Sequence, residues 1–69
     1  MDKPDERADP KSFEGFIARK YEEGGLKQAV KEATKLFAGF SDKEAADASA
    51  TMSSKARTAI MKMIKARKT

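Results

Sequence analysis

Cysteine and histidine are both absent from this 69-residue sequence. Without cysteine there is neither a disulfide bond nor a thiolate zinc site, and without histidine the usual general base and the commonest metal ligand are missing. The pair Gly24-Gly25 precedes a predicted helix but lacks the G-x-x-x-x-G-K pattern of a phosphate-binding loop. We therefore expect a protein that is not an enzyme and that uses no metal and no cofactor.

Long hydrophobic runs are also absent. No apolar stretch approaches the roughly 20 residues of a membrane span. The polar residues 1–10 lack the apolar segment of a secretory signal. These absences predict a cytoplasmic protein without a membrane partner.

The short chain limits the size of the hydrophobic core. A domain of this length buries only roughly 60% of the surface of its unfolded chain. Residues 1–9 carry charges of both signs, one proline and no large apolar residue after Met1, which predicts a flexible tail. We expect residues 10–69 to form a single helical domain with a thin core.

The spacing of the apolar residues predicts an all-α fold, a small bundle of three to four short helices. Gly24-Gly25 separates the first two helices, and Ser41 with Glu44 forms a capping box at the start of the third. The helices are expected at about 10–23, 26–38, 42–50 and 54–66. The aromatic residues share this helical spacing and are expected in the core: Phe13, Phe16, Tyr21, Phe37 and Phe40.

Residues 50–54 fit two interpretations. Ser53 and Ser54 are better suited to helix caps than to helix interiors, which predicts a turn between two helices. The alternative is one continuous helix from Asp42 to about Lys65, because the alanine and methionine residues on both sides of this stretch continue a single apolar stripe.

Acidic residues are absent after Asp47. Residues 48–69 therefore have a formal charge of +6, although the whole chain has a charge of only +4. Such an asymmetry indicates a polyanionic or acidic partner for the C-terminal third. The candidate binding residues on the last predicted helix are Lys55, Arg57, Thr58, Met61, Lys62, Lys65 and Lys68.

The electrostatics of a helix separates these cations into two groups. Positive charge is favourable near the C-terminus of a helix and unfavourable in its first turn. Helix stability therefore explains Lys65 and Lys68 in part, whereas Lys55 and Arg57 are better evidence for a binding role. Arg67 projects to the apolar side, which predicts that packing has ended there and that the end of the helix is frayed.

A second basic stripe lies on the second predicted helix, opposite its apolar residues. It consists of Lys27, Lys31 and Lys35. Like charges at this spacing destabilise a helix by about 0.2–0.5 kcal/mol per pair, so the stripe does not help the helix to form. It is either an ordinary solvated face or an extension of the C-terminal basic surface, if the two helices pack side by side.

Residues 41–64 resemble a helix-turn-helix unit. The capped stretch beginning at Ser41 corresponds to the start of the first helix, and Met52 to Ser54 to the turn into the recognition helix. The sequence departs from the motif because Ala50 stands where the turn usually has glycine and Ser49 where an apolar residue is expected. The turn is also one residue longer than in the motif. The resemblance implies that the residues facing the major groove are Ser54, Lys55, Arg57 and Thr58, with Arg57 reading guanine.

Two classes of partner fit these observations. The first hypothesis is a small regulatory protein that binds nucleic acid, with DNA favoured over RNA, through its basic C-terminal helix. The alternative is a protein–protein interaction module, such as a small inhibitor or adaptor of the phage or plasmid type. This module would dock an acidic surface with Met61 and Met63 as adaptable contacts. The methionine and alanine stripe is also compatible with a homodimer.

Overall fold

The structure, a computed structural model, describes residues 10–68. It consists of a 3-10 turn at Pro10–Ser12, α1 (Phe13–Leu36), α2 (Asp42–Ser49) and α3 (Ser54–Lys68). This part of the chain contains no strand, and the predicted all-α fold is confirmed. The predicted flexible tail at residues 1–9 lies outside the described residues, and so does Thr69.

Helix α1 is interrupted at Gly25. The φ of 82° and ψ of −175° at this residue belong to a region that only glycine adopts readily. If α1 were straight, its ends would lie about 35 Å apart, yet the ring centroids of Phe13 and Phe37 are separated by only 5.1 Å. The chain therefore reverses direction at Gly25. The N-terminal segment (residues 13–24) and the C-terminal segment (residues 26–36) correspond to the first two predicted helices.

Gly24 has a different role at the same reversal. A Cβ atom added to it would lie 2.6 Å from the Cβ of Gln28, well inside the roughly 3.5–4.0 Å at which carbon atoms pack. Gly24 therefore provides space, while Gly25 provides the backbone conformation.

The core lies between α3 and the other two helices. Fully buried residues come from every helix and include Ile17, Ala33, Ala45, Ile60 and Met63. At one end of the core, the ring of Phe13 meets those of Phe37 and Phe40 edge-on, with centroids 5.1 and 6.1 Å away. Such contacts stabilise an aromatic cluster beyond the area that it buries.

The prediction that all five aromatic residues lie in the core is wrong for Phe16. Its side chain is 39% exposed, and the Lys20 ammonium lies 5.2 Å from the centre of its ring. Ile17 is fully buried at the centre of the packed face. Consecutive residues are about 100° apart around a helix, so with Ile17 at the centre of the packed face Phe16 lies towards its exposed edge.

The two ends of α2 follow the sequence prediction. Ser41 Oγ accepts a hydrogen bond from the Glu44 N–H (3.1 Å), and a Glu44 carboxylate oxygen accepts one from the Ser41 N–H (2.9 Å), which completes the predicted capping box. Residues 50–53 form a turn. The alternative of one continuous helix through this region is therefore excluded, and buried Met52 anchors the turn to the core.

We predict opposite effects on stability for two Gly→Ala substitutions within α1. Gly25→Ala should lower the free energy of unfolding by about 1–3 kcal/mol, because alanine is strained at this φ. Gly15→Ala should raise it by up to about 1 kcal/mol, because Gly15 is helical and its added Cβ meets no atom within 4 Å. Urea unfolding followed by circular dichroism measures both. Equal effects of the two substitutions would contradict the assignment of the reversal to Gly25.

Candidate binding face on the C-terminal helix

Helix α3 has one buried and one exposed side. Its buried residues are Ala56, Ala59, Ile60, Met63 and Ile64. The expectation that Met63 contacts a partner beside Met61 is wrong, because the Met63 side chain is fully buried in the core. The exposed side, which we call the α3 outer face, is formed by Arg57, Thr58, Met61, Lys62, Lys65 and Lys68. These six residues span an arc of about 140° on the helix. They also line a shallow open groove together with the edge of Ile64. The face contains every predicted binding residue of this helix except Lys55.

Four cations on this face lack an internal partner. Among the described residues, Arg57, Lys62, Lys65 and Lys68 make no ion pair or hydrogen bond through their side chains, and α3 itself has no acidic residue. Like charges repel one another, and none of these four cations has an ion pair among the described residues to offset that repulsion. An anionic partner could therefore form ion pairs with all four side chains without displacing an ion pair within the described chain.

Met61 lies among these cations, one turn from Arg57 and one turn from Lys65. Its side chain is 48% exposed, the largest exposure of any bulky apolar residue in the described chain. Among the described residues, the only polar contact of its sulfur is a long one, from the Ser49 hydroxyl at 3.9 Å. The face therefore has an apolar centre surrounded by positive charge.

Lys55 is placed differently from the other predicted binding residues. Its ammonium forms an ion pair with the Glu22 carboxylate and lies 5.9 Å from the centre of the Tyr21 ring. Both partners belong to the N-terminal segment of α1. The unfavourable position of a cation in the first turn of α3 is thus compensated inside the protein. No external partner is needed to explain the presence of Lys55 there.

The start of α3 is also occupied by a carboxylate from α1. A Glu14 oxygen accepts a hydrogen bond from the Ser53 N–H at 2.8 Å. A negative charge at this end of a helix is favourable because the exposed N–H groups carry partial positive charge. Glu14 and Glu22 together place two acidic groups beside the first turn of α3.

Arg67 was expected at a frayed end, and this expectation is wrong. Its guanidinium donates hydrogen bonds to the carbonyl oxygens of Phe40 (2.7 Å) and Phe37 (3.3 Å), and its Nε lies 3.3 Å from an Asp42 carboxylate oxygen. The side chain therefore connects the end of α3 to the end of α1 and the start of α2. These partners are the reason that α3 continues to Lys68, two residues beyond the predicted end.

The second basic stripe is present as a surface feature of α1. Lys27, Lys31 and Lys35 are exposed on its C-terminal segment and make no ion pair with a described residue. None of the three lines the groove on the α3 outer face. The stripe is therefore separate from the residues that line this groove, although α1 and α3 pack against each other.

The resemblance to a helix-turn-helix unit extends to the order of elements but not to the details of the turn. Ala50 has a φ of −58° and a ψ of −29°, which any residue adopts, so this turn has no position that requires glycine. Ser49 is buried, and its hydroxyl is satisfied by donating to the Ala46 carbonyl at 2.9 Å. The departures at Ala50 and Ser49 are therefore accommodated locally without strain.

Comparisons with known proteins leave the chain without a family: no protein-family model, no curated protein and no solved structure matches it. Within residues 10–68, no helix has both the length and the apolar character to cross a membrane. The same residues contain no cluster of acidic side chains suited to holding a metal ion.

We predict that Arg67 stabilises the fold whereas its neighbour Lys68 does not. Arg67→Gln should lower the free energy of unfolding by about 1–3 kcal/mol, because buried carbonyl groups lose a charged donor. Lys68→Gln removes the same charge from an unpaired position and should change it by less than about 0.5 kcal/mol. Urea unfolding midpoints compare the two variants. Similar midpoints would contradict the assigned role of Arg67.

Proposed function

We propose that the protein binds nucleic acid through the α3 outer face. The observation that carries this proposal is the set of four cations, Arg57, Lys62, Lys65 and Lys68, that lack acidic neighbours on α3 and ion pairs within the described chain. Every other helix of the protein contains acidic residues. Nucleic acid is the polyanion that such a surface suits best, because each phosphate neutralised by Lys or Arg releases bound counterions.

The dimensions of the face favour a duplex over a single strand. From Arg57 to Lys68 the helix rises about 16 Å, so its cations can reach several consecutive phosphates. Proteins that bind single strands generally stack bases on aromatic rings, and α3 has no aromatic residue. The major groove of B-form DNA admits an α-helix, whereas that of A-form RNA is deep and narrow. We therefore favour duplex DNA over RNA.

A protein partner is the second candidate, and the exposure of Met61 supports it. A bulky apolar side chain surrounded by charged residues resembles the centre and rim of a protein interface, and methionine adapts readily to different surfaces. The partner would present an acidic surface with an apolar pocket. In either case we propose that this is a small cytoplasmic regulatory protein. A homodimer of it would present two α3 outer faces.

The two candidates differ in their response to two sets of substitutions. For nucleic acid, replacing the four cations by glutamine should abolish binding, whereas Met61→Gln should have little effect. For a protein partner, Met61→Gln should be among the most damaging single changes, because apolar residues at the centre of an interface dominate its affinity.

We predict that binding of a 20-base-pair DNA duplex depends on where the cations lie on the protein as well as on the net charge. Replacing Arg57, Lys62, Lys65 and Lys68 by glutamine should abolish binding at 50 mM salt. The matched control replaces Lys27, Lys31, Lys35 and Lys43, which lie on α1 and α2, and should retain most of the affinity. Both variants have the same formal charge. Fluorescence anisotropy with a labelled duplex measures the dissociation constants.

The dependence on salt provides a second readout for the wild-type protein. If all four cations contact phosphates, the logarithm of the association constant should fall with the logarithm of salt concentration with a slope of about −3 to −4. Absent or salt-insensitive binding would reject the proposal. Equal losses in the two quadruple variants would show that net charge alone governs binding and would also reject the α3 outer face as the site.

A further inference from the structure

The distribution of charge along α3 is uneven once its neighbours are included. Beside the first turn, α1 contributes the carboxylates of Glu14 and Glu22, of which the first accepts the Ser53 N–H and the second pairs with Lys55. The following turns carry the four cations without internal partners. A phosphate approaching α3 therefore meets acidic groups at its start and uncompensated positive charge farther along.

This distribution matters because helix-turn-helix proteins read bases with the start of the recognition helix. Its N-terminal residues contact base edges in the major groove, and free N–H groups at the start of a helix are good phosphate ligands. Here the Ser53 N–H already has an anionic partner in Glu14. Lys55, one of the residues that the resemblance places in the groove, is directed to Glu22.

We infer that α3 binds the phosphate backbone of a duplex with its middle and C-terminal turns and does not read base sequence with its first turn. The inference rests on the proposed function and specifies its substrate class: duplex DNA of any sequence. Glu14 and Glu22 act as positioning residues that keep phosphates away from the start of α3. They thereby confine contact to the region from Arg57 to Lys68.

The ion pair between Glu22 and Lys55 makes this confinement measurable. The side chains are 61% and 49% exposed, so the pair contributes little to the stability of the fold and its removal should leave the structure intact. Without the Glu22 charge, Lys55 becomes available to a phosphate. The number of neutralised phosphates should then rise by up to one, which the salt dependence of binding reports directly.

The test compares two double variants that change the formal charge equally. Glu14→Gln with Glu22→Gln removes the acidic groups beside α3 and leaves an amide oxygen able to accept the Ser53 N–H. The control, Glu23→Gln with Glu32→Gln, removes two carboxylates whose contacts lie within α1, with Lys20 and Gln28. The first variant should bind a DNA duplex several-fold more tightly than the wild-type protein. The slope of the logarithm of its association constant against the logarithm of salt concentration should be steeper by up to about 0.9. The control should keep the wild-type slope.

A selection from a random-sequence duplex library with the wild-type protein completes the test. We expect no enriched motif, because phosphate contacts carry no sequence information directly. Binding with an enriched motif, or equal slopes for the two double variants, would overturn the inference and leave the proposed function standing. If the wild-type protein binds no duplex, the proposed function fails and the inference fails with it.

Discussion

The reversal of the chain at Gly25 is the constraint on which the arrangement of the other helices depends. It turns the 24 residues of α1 into two segments that fold back on each other, and it brings Phe13 to Phe37. Only because of this reversal do both ends of α1 reach α3, one through Glu14 at its start and the other through the Phe37 carbonyl near its end. A thin domain with few large side chains thereby holds its C-terminal helix at both ends.

This two-ended attachment divides the cations of α3 by function. Lys55 pairs with Glu22 of α1. Arg67 pairs with Asp42 and donates a hydrogen bond to the Phe40 carbonyl. Both charges are thus used within the fold. The other four cations of the helix remain on the outer face around Met61. The same element thus contributes its apolar side to the core and its uncompensated charge to the surface. Because the apolar and charged sides of α3 are separate, we propose that a protein of 69 residues can stay folded while it offers a binding face.

Local patterns account for the parts of the structure that were predictable from sequence. Apolar spacing indicated the helices. Gly24-Gly25 indicated the break between the first two helices, and Ser41 with Glu44 indicated the start of α2. Each of these signals lies within a few residues of the structure that it forms. The placement of Lys55 and Arg67 was not predictable in this way. Their partners lie 33 and 27 residues away in the sequence, and no spacing rule connects them. Phe16 was misplaced because apolar spacing does not show which of the adjacent residues Phe16 and Ile17 lies at the centre of the packed face.

Nuclear magnetic resonance can show directly whether the α3 outer face binds a DNA duplex. A uniformly ¹⁵N-labelled sample titrated with a short duplex reports every backbone amide separately. We expect the chemical shift changes to be concentrated between Arg57 and Lys68, with small changes at Ser54 and Lys55 and none along residues 27–35. Changes centred on Lys27, Lys31 and Lys35 would show that the duplex binds α1 instead. No changes at all would show that the protein does not bind the duplex.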